Sequence, residues 1–323
     1  YDLLQTSAFK QELSTQDESL VADLENLNVE RSHERLVDAL TDQLSQLLAA
    51  VGEGEKLSDN DKLLAQVDLL NNLLKYARQQ LKENTAEALI DEIAAPPKVL
   101  RSIYRQGEQP DLPQIGLSQP WLFTAGKDSP ALLNELISEL SSCDHVDILV
   151  SFITVSGVRK IYDILKQITA ADADGHSKTC IRVLTTTYIG ATEKNALDML
   201  ARLPNCEVRV SLDGRRTRLH AKAWMFERKT GFGSAYVGSA NLSGAALMGG
   251  LEWTVKFTEH GQQNLYERAK AHFETLWEDG EFQPYDPNDS QHVAALRDAL
   301  SRESGGRALP EHVTTTFFDI TPK

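Results

Sequence analysis

Leucines recur at helical spacing through the first ninety residues. Leu20, Leu24 and Leu27, then Leu36, Leu40, Leu44, Leu47 and Leu48, return every three or four positions, which gathers them on one helical face. Gly52-Glu53-Gly54 breaks this run. A second run, Leu63-Leu64, Val67, Leu69-Leu70 and Leu73-Leu74, continues to about Leu81, with capping side chains ahead of it in Ser58-Asp59-Asn60-Asp61. The pattern predicts an all-helical N-terminal region over residues 1–95 with solvated acidic faces. Pro96-Pro97 closes it. Pro110, Pro113 and Pro120 with Gly107 and Gly116 mark a linker, placed at 96–117.

Beyond the linker the period shortens. Helical patterns over 129–142, 158–169, 193–202 and 262–277 alternate with strand-like runs at 146–153, 180–185, 207–212, 218–226, 234–237 and 251–257. Strands alternating with helices predict an α/β domain over 118–283, a mixed sheet covered by helices on both faces. Residues 284–323 hold a further helix near 289–300, then Ser304-Gly305-Gly306 and an apolar stretch ending Phe317-Phe318-Asp319-Ile320. This tail reads as a linker to a further domain.

Composition narrows the class. The 323 residues are 41% hydrophobic and 25% charged, as in soluble globular proteins. No apolar run has the length of a membrane span, and Tyr1-Asp2-Leu3-Leu4 lacks the layout of a secretory leader. Cys143, Cys180 and Cys206 show no metal-ligand spacing and read as thiols of a reducing compartment, so a cytoplasmic location is expected. The net charge of −14 is uneven: residues 1–100 sum to −10, whereas residues 181–230 sum to +5. A basic strip on an acidic chain still attracts phosphates, because salt screens distant acids beyond roughly 10 Å.

That strip holds the candidate chemistry. It reads Arg218-Leu219-His220-Ala221-Lys222, and Gly238-Ser239-Ala240-Asn241 follows. On an extended segment His220 and Lys222 share a side, so both reach one phosphate. Ser239 and Asn241 share parity likewise. Glu252 is a polar group entering an apolar run. A neutral imidazole attacks phosphorus to form a phosphohistidine, given a carboxylate that fixes its tautomer, for which Glu252 is the candidate. Lys222, Asn241 and Ser239 are donors for the developing phosphorane charge. Arg215, Arg216 and Arg218 are candidate backbone contacts, and Thr186 and Thr187 end a strand at the edge where α/β sheets bind ligands. Singly, a strand histidine or a G-S-x-N is more often structural. In order and on neighbouring predicted strands they point to a site.

The H-x-K-x(4)-E run with G-S-x-N resembles the HKD motif of the phospholipase D superfamily, over about residues 118–283. The stretches 184–192, 215–224 and Gly250-Leu251-Glu252-Trp253 are similar to nuclease domains that precede helicase cores in bacterial restriction and defence proteins. The resemblance implies a phospholipase D-like fold and a metal-independent DNA endonuclease without a cofactor. It implies His220 as nucleophile, Lys222 and Asn241 on the phosphate, and Glu252 as the acid that orients His220. Glu227 stands where the motif has Asp, and strand parity turns it away from His220, which suggests a structural role. The family's site takes two motifs and this chain has one. None of His33, His145, His260, His272, His292 or His312 is followed by Lys two residues on, and His176 with Lys178 has no G-S-x-N after it. A homodimer sharing one site on its two-fold axis is therefore expected, with DNA as partner and a helicase domain in the longer protein. A phospholipase-type activity, a catalytically weak DNA-binding or dimerisation module, and action on RNA are the rival readings.

Overall fold

The computed structural model describes residues 7, 11, 26–27, 29, 32–54, 56–80, 92–102, 111–124, 130–171, 179–213, 219–248 and 252–303. The chain divides into two compact units, residues 1–100 and 101–323. In the first, helices α1 (Ser32–Ala50) and α2 (Asp59–Gln79) carry two of the leucine runs. Ser58 caps α2, its hydroxyl oxygen accepting from the Asp61 backbone N–H at 3.2 Å, which satisfies a donor the first turn leaves unpaired. Gly52 and Gly54 stand at φ of 77° and 83° between the helices, a region side chains with a Cβ disfavour. Gln66 Nε2 then ties α2 to Leu48 O at 2.7 Å. The rest of the predicted helical stretch, most of 5–31 and 81–91, lies outside the described residues.

The second unit is built on a mixed sheet. Its elements in chain order are β1 (Trp121–Phe123), α3 (Leu132–Ser142), β2 (His145–Leu149), α4 (Val155–Thr169), β3 (Cys180–Thr186), α5 (Lys194–Ala201), β4 (Cys206–Ser211), β5 (Ala223–Glu227), β6 (Ser234–Gly238), α6 (Gly244–Met248), β7 (Thr254–Thr258), α7 (Gln263–Trp277), β8 (Phe282–Pro284) and α8 (Ser290–Glu303). Eight strands lie in the order β1-β7-β6-β5-β2-β3-β4-β8. The adjacent β2, β3 and β4 run parallel and the other pairs antiparallel, so the expected mixed α/β architecture is the one observed.

Strand alternation explains the layers. Val146, Ile148, Ile181, Val183, Trp224 and Phe226 enter one core, with Leu136, Leu165, Leu197 and Leu300 from helices on that side. Leu149, Leu184, Ala223 and Met225 enter a second core with Tyr266, Phe273 and Trp277 of α7. Helices thus cover both faces, as buried central strands require. Helix α8 belongs to the same unit, its Leu296 and Leu300 completing the first core.

The structure moves some predicted bounds. Strand β5 begins at Ala223 instead of 218, because its neighbour β6 ends at Gly238. The Gly238 N–H still donates to Lys222 O at 3.1 Å, and beyond that point the G-S-x-N segment leaves nothing for residues 219–221 to pair with. Strand β7 begins at Thr254 instead of 251: its ladder with β6 starts at Gly238↔Thr254, and the Trp253 N–H turns to the Ser239 side chain. Strands β1 and β8 and helix α6, absent from the sequence reading, span only three, three and five residues, too short for periodicity to register.

Two ion networks lock this unit. Glu139 and Lys256 are 0% exposed and lie 3.0 Å apart, and Arg228 Nη2 reaches Glu139 at 2.6 Å. Tyr236 donates its hydroxyl to Glu139 at 2.8 Å. At the start of β2, Asp147 and Glu274 grip Arg182 at 2.7 and 2.6 Å. Lys270 meets Glu227 at 2.7 Å nearby. His145, Asp147 and Glu227 bring possible metal-ligand atoms within 4.8 Å of one another. Arg182 and Lys270 already occupy those carboxylates, so the group reads as an ion-pair network. Burial pushes the Cys143 thiol up to about 12, an inert side chain at neutral pH. Among the described residues no helix is long and apolar enough to cross a membrane.

Candidate active site

Parallel strands end at one edge of the sheet, and the candidate residues collect there. The carboxyl ends of β2, β3 and β4, the entry to β5, the exit from β6 and the entry to β7 share that edge, as the registers Leu149↔Ala223, Leu149↔Leu184 and Gly238↔Thr254 show. Loops at such an edge are free of ladder bonds and present side chains outward.

His220 and Lys222 occupy the segment that leads into β5. Lys222 Nζ lies 3.1 Å from His220 Nδ1 and 2.7 Å from His220 O, a contact made ahead of the observed strand, where the sequence predicted one. His220 is exposed and Lys222 buried. Burial pushes the Lys222 ammonium below its ordinary value, and the Glu252 carboxylate works against that. Beside Lys222, Thr254 Oγ1 is buried without a hydrogen-bond partner among the described residues.

The G-S-x-N segment is held from two directions. Ser239 N–H donates to Trp253 O at 3.0 Å, and Trp253 N–H donates to Ser239 Oγ at 3.1 Å. Ser239 Oγ in turn donates to Glu252. Asn241 Oδ1 accepts from Phe152 N–H at 3.3 Å, which leaves its amide N–H groups as the free donors. Thr154 N–H donates to Leu242 O at 3.0 Å, so the loop after β2 and the loop after β6 are stitched together.

Two glycines permit this closeness, and sequence reading missed one of them. A Cβ on Gly238 would lie 2.1 Å from Trp253 O, and a Cβ on Gly157, in the first turn of α4, would lie 2.2 Å from Leu242 O. Gly157→Ala is expected to push the Leu242 backbone, next to Asn241, away from α4. It should cost ~1–3 kcal/mol of stability. Thermal unfolding of the variant measures this, and an unchanged midpoint would show that the Leu242 segment yields freely to the added methyl.

The other predicted residues divide. Glu252 lies just before β7 and bonds Ser239, so the structure joins it to the G-S-x-N segment. The His220 ring nitrogen Nδ1 faces Lys222 instead. Thr186 and Thr187 are fully buried, with Thr186 Oγ1 accepting from Tyr188 N–H and Thr187 donating to Ser211 O; both lie beneath the edge and shape it. Arg215, Arg216 and Arg218 fall outside the described residues. Glu227 sits at the far end of β5 on Lys270, away from His220, in the structural place its parity predicts.

No protein-family model matches this chain, and no curated protein does. Among solved structures it is similar to NucT from Helicobacter pylori at 21% identity and a TM-score of 0.38, over 52% of this chain and 99% of that one. It is also similar to Nuc, a phospholipase D family member from Salmonella typhimurium, at 15% identity and a TM-score of 0.38 over the same shares. A third likeness is to phosphatidylserine synthase from Haemophilus influenzae Rd KW20, at 10% identity and a TM-score of 0.35, over 58% of this chain and 46% of that one. Likeness at this level decides nothing about substrate or reaction.

Proposed function

We propose that the chain is a metal-independent phosphodiesterase of the phospholipase D type, acting as a DNA endonuclease through a phosphohistidine on His220. The observation that carries this reading is the gathering of His220, Lys222, Ser239, Asn241 and Glu252 at one edge of the sheet. An exposed imidazole beside a partly desolvated ammonium and a free amide is a set suited to phosphate.

The steps follow from the side chains. The His220 Nε2 lone pair attacks phosphorus and the bond to the leaving oxygen breaks. Lys222 and Asn241 donate to the non-bridging oxygens, where charge grows. Attack from Nε2 requires the ring proton on Nδ1, the nitrogen that lies 3.1 Å from Lys222 Nζ. A phosphate that draws the ammonium to itself frees Nδ1, solvent exchange on the exposed ring carries the proton there from Nε2, and Glu252, which bonds Ser239 before substrate arrives, is the carboxylate assigned to accept that N–H. The leaving oxygen takes its proton from the His220 of a second copy across a two-fold axis. That histidine then removes a proton from the water that cleaves the P–N bond. Arg215, Arg216 and Arg218, with the basic balance of residues 181–230, would bind the backbone. A role in restriction or phage defence, beside a helicase domain in a longer protein, is the setting this reading favours.

Plasmid incubated with the protein in excess EDTA is expected to be cleaved at the same rate as without chelator. Loss of cleavage there would refute the metal-free histidine mechanism. Hydrolysis of phosphatidylcholine vesicles with no cleavage of plasmid would favour the phospholipase reading.

A further inference from the structure

Lys222, Gly238 and Thr254 form one cross-strand row at the site edge of the sheet. The Gly238 N–H bonds Lys222 O, and Gly238 pairs with Thr254. The next row along the same strands is Trp224, Tyr236 and Lys256. Side chains two residues apart share a face. Lys222 and Thr254 therefore flank Gly238 on the face of Trp224 and Tyr236.

The glycine in the middle leaves a gap between them. A cavity of about 10 Å³ lies there, lined by Lys222, Gly238 and Thr254 over Trp224 and Tyr236. That is the lower end of the ~10–15 Å³ a single water needs. Two oxygens stand over the glycine: Thr254 Oγ1 lies 2.6 Å, and Trp253 O 2.1 Å, from where a Gly238 Cβ would be. Thr254 is 5% exposed, and its Oγ1 has no partner among the described residues. Buried hydroxyls are almost always paired, with protein or with ordered water.

Lys222 has the complementary need. Its ammonium carries three N–H donors. Two are taken by His220 O and His220 Nδ1, and the third meets no acceptor among the described residues. Lys222 is itself 5% exposed, and burial pushes its ammonium below the ordinary value. The charged or titratable groups that face it are Glu252, from the entry to β7, and His220, from its own segment. On the cavity side, helices α3 and α6 present Leu132, Leu136 and Leu247.

We propose that Thr254 is a positioning residue for Lys222: its hydroxyl holds one water over Gly238, and that water accepts the third N–H of the ammonium. The inference rests on the phosphodiesterase reading above for what Lys222 does to substrate. The water gives the ammonium a bond to keep when a phosphate draws it away from His220 Nδ1.

High-resolution crystallography, NMR titration of carbon-13-labelled lysine and single-turnover plasmid cleavage test it on the wild type, Thr254→Val and Thr254→Ser. Lys222→Arg identifies the Lys222 resonance. The wild-type density is expected to show one water within hydrogen-bonding distance of Thr254 Oγ1 and Lys222 Nζ. Thr254→Val keeps the shape of the side chain and removes its hydroxyl. It is expected to move the Lys222 titration to lower pH, because the charged form loses support. It is also expected to slow cleavage about tenfold, the lower end for a lost hydrogen bond to a charged group. Thr254→Ser is expected to keep both at wild-type values. A dry gap, or a Lys222 titration unmoved in Thr254→Val, overturns the inference whatever the cleavage rate. So does a Thr254→Val that melts higher at full activity, since the hydroxyl would then be a packing fault. If Thr254→Val fails to fold, the wild-type density decides. A wild type with the water and the titration shift that cuts no phosphodiester overturns the function reading and leaves the Thr254 assignment standing.

Discussion

His220→Ala is expected to lower plasmid cleavage by at least about 10⁴-fold, the scale at which removal of a covalent nucleophile acts. His220 is exposed and its ring meets only Lys222 among the described side chains, so thermal unfolding should shift by no more than ~0.5 kcal/mol. DNA binding should persist, since Lys222 and Asn241 remain. Rapid quench of the wild type on a labelled oligonucleotide should trap an acid-labile, base-stable adduct that the variant lacks. On a site shared between two copies, mixing adds a sharper readout. A mixed pair has either its nucleophile or its acid missing, so activity should fall with the square of the wild-type fraction. A linear fall would show that each copy works alone, and a variant retaining a tenth of the rate would remove His220 from the chemistry.

Glu139→Ala is expected to be the most damaging single change to the fold. It would leave Arg228 and Lys256 both buried with their shared anion gone. Breaking a buried pair in this way costs about 3–5 kcal/mol, or ~6–20 °C in melting temperature for a unit of this size. Burial alone would raise the Glu139 carboxyl, but Arg228 and Lys256 outweigh it and hold it below its ordinary range. A folded value below the unfolded one means stability that is full above the unfolded carboxylate range, near pH 4.3, and lost as pH falls through the lower folded value. Melting curves from pH 7 downward should show the wild type losing stability across that acid window and Glu139→Ala losing less. Equal slopes would mean that other carboxylates govern acid unfolding.

Much of this arrangement was legible because it follows from periods. Period-two alternation set Glu227 on the other face of β5 from Trp224 and Phe226, where it meets Lys270 of α7. Helical spacing found α1, α2, α4 and α7. What stayed hidden depends on contacts between distant segments. Nothing local marks Gly157 as the residue that lets α4 approach Leu242, because close approach is a property of the partner. Nothing in the run of β7 foretells that Lys256 is fully buried while Val255 is open. The group that holds Lys256 inside is Glu139, one hundred and seventeen residues earlier. Thr186 and Thr187 stand at the right edge of the sheet, but local pattern does not tell a rim side chain from one beneath it.

The two outer strands of the sheet are three residues each, β1 on one side and β8 on the other. An edge that short offers a passing chain few unpaired backbone groups, and a foreign strand that docked there would gain only two or three ladder bonds. Growth of the sheet by adding strand to strand is therefore resisted at both margins by the shortness of the outer strands.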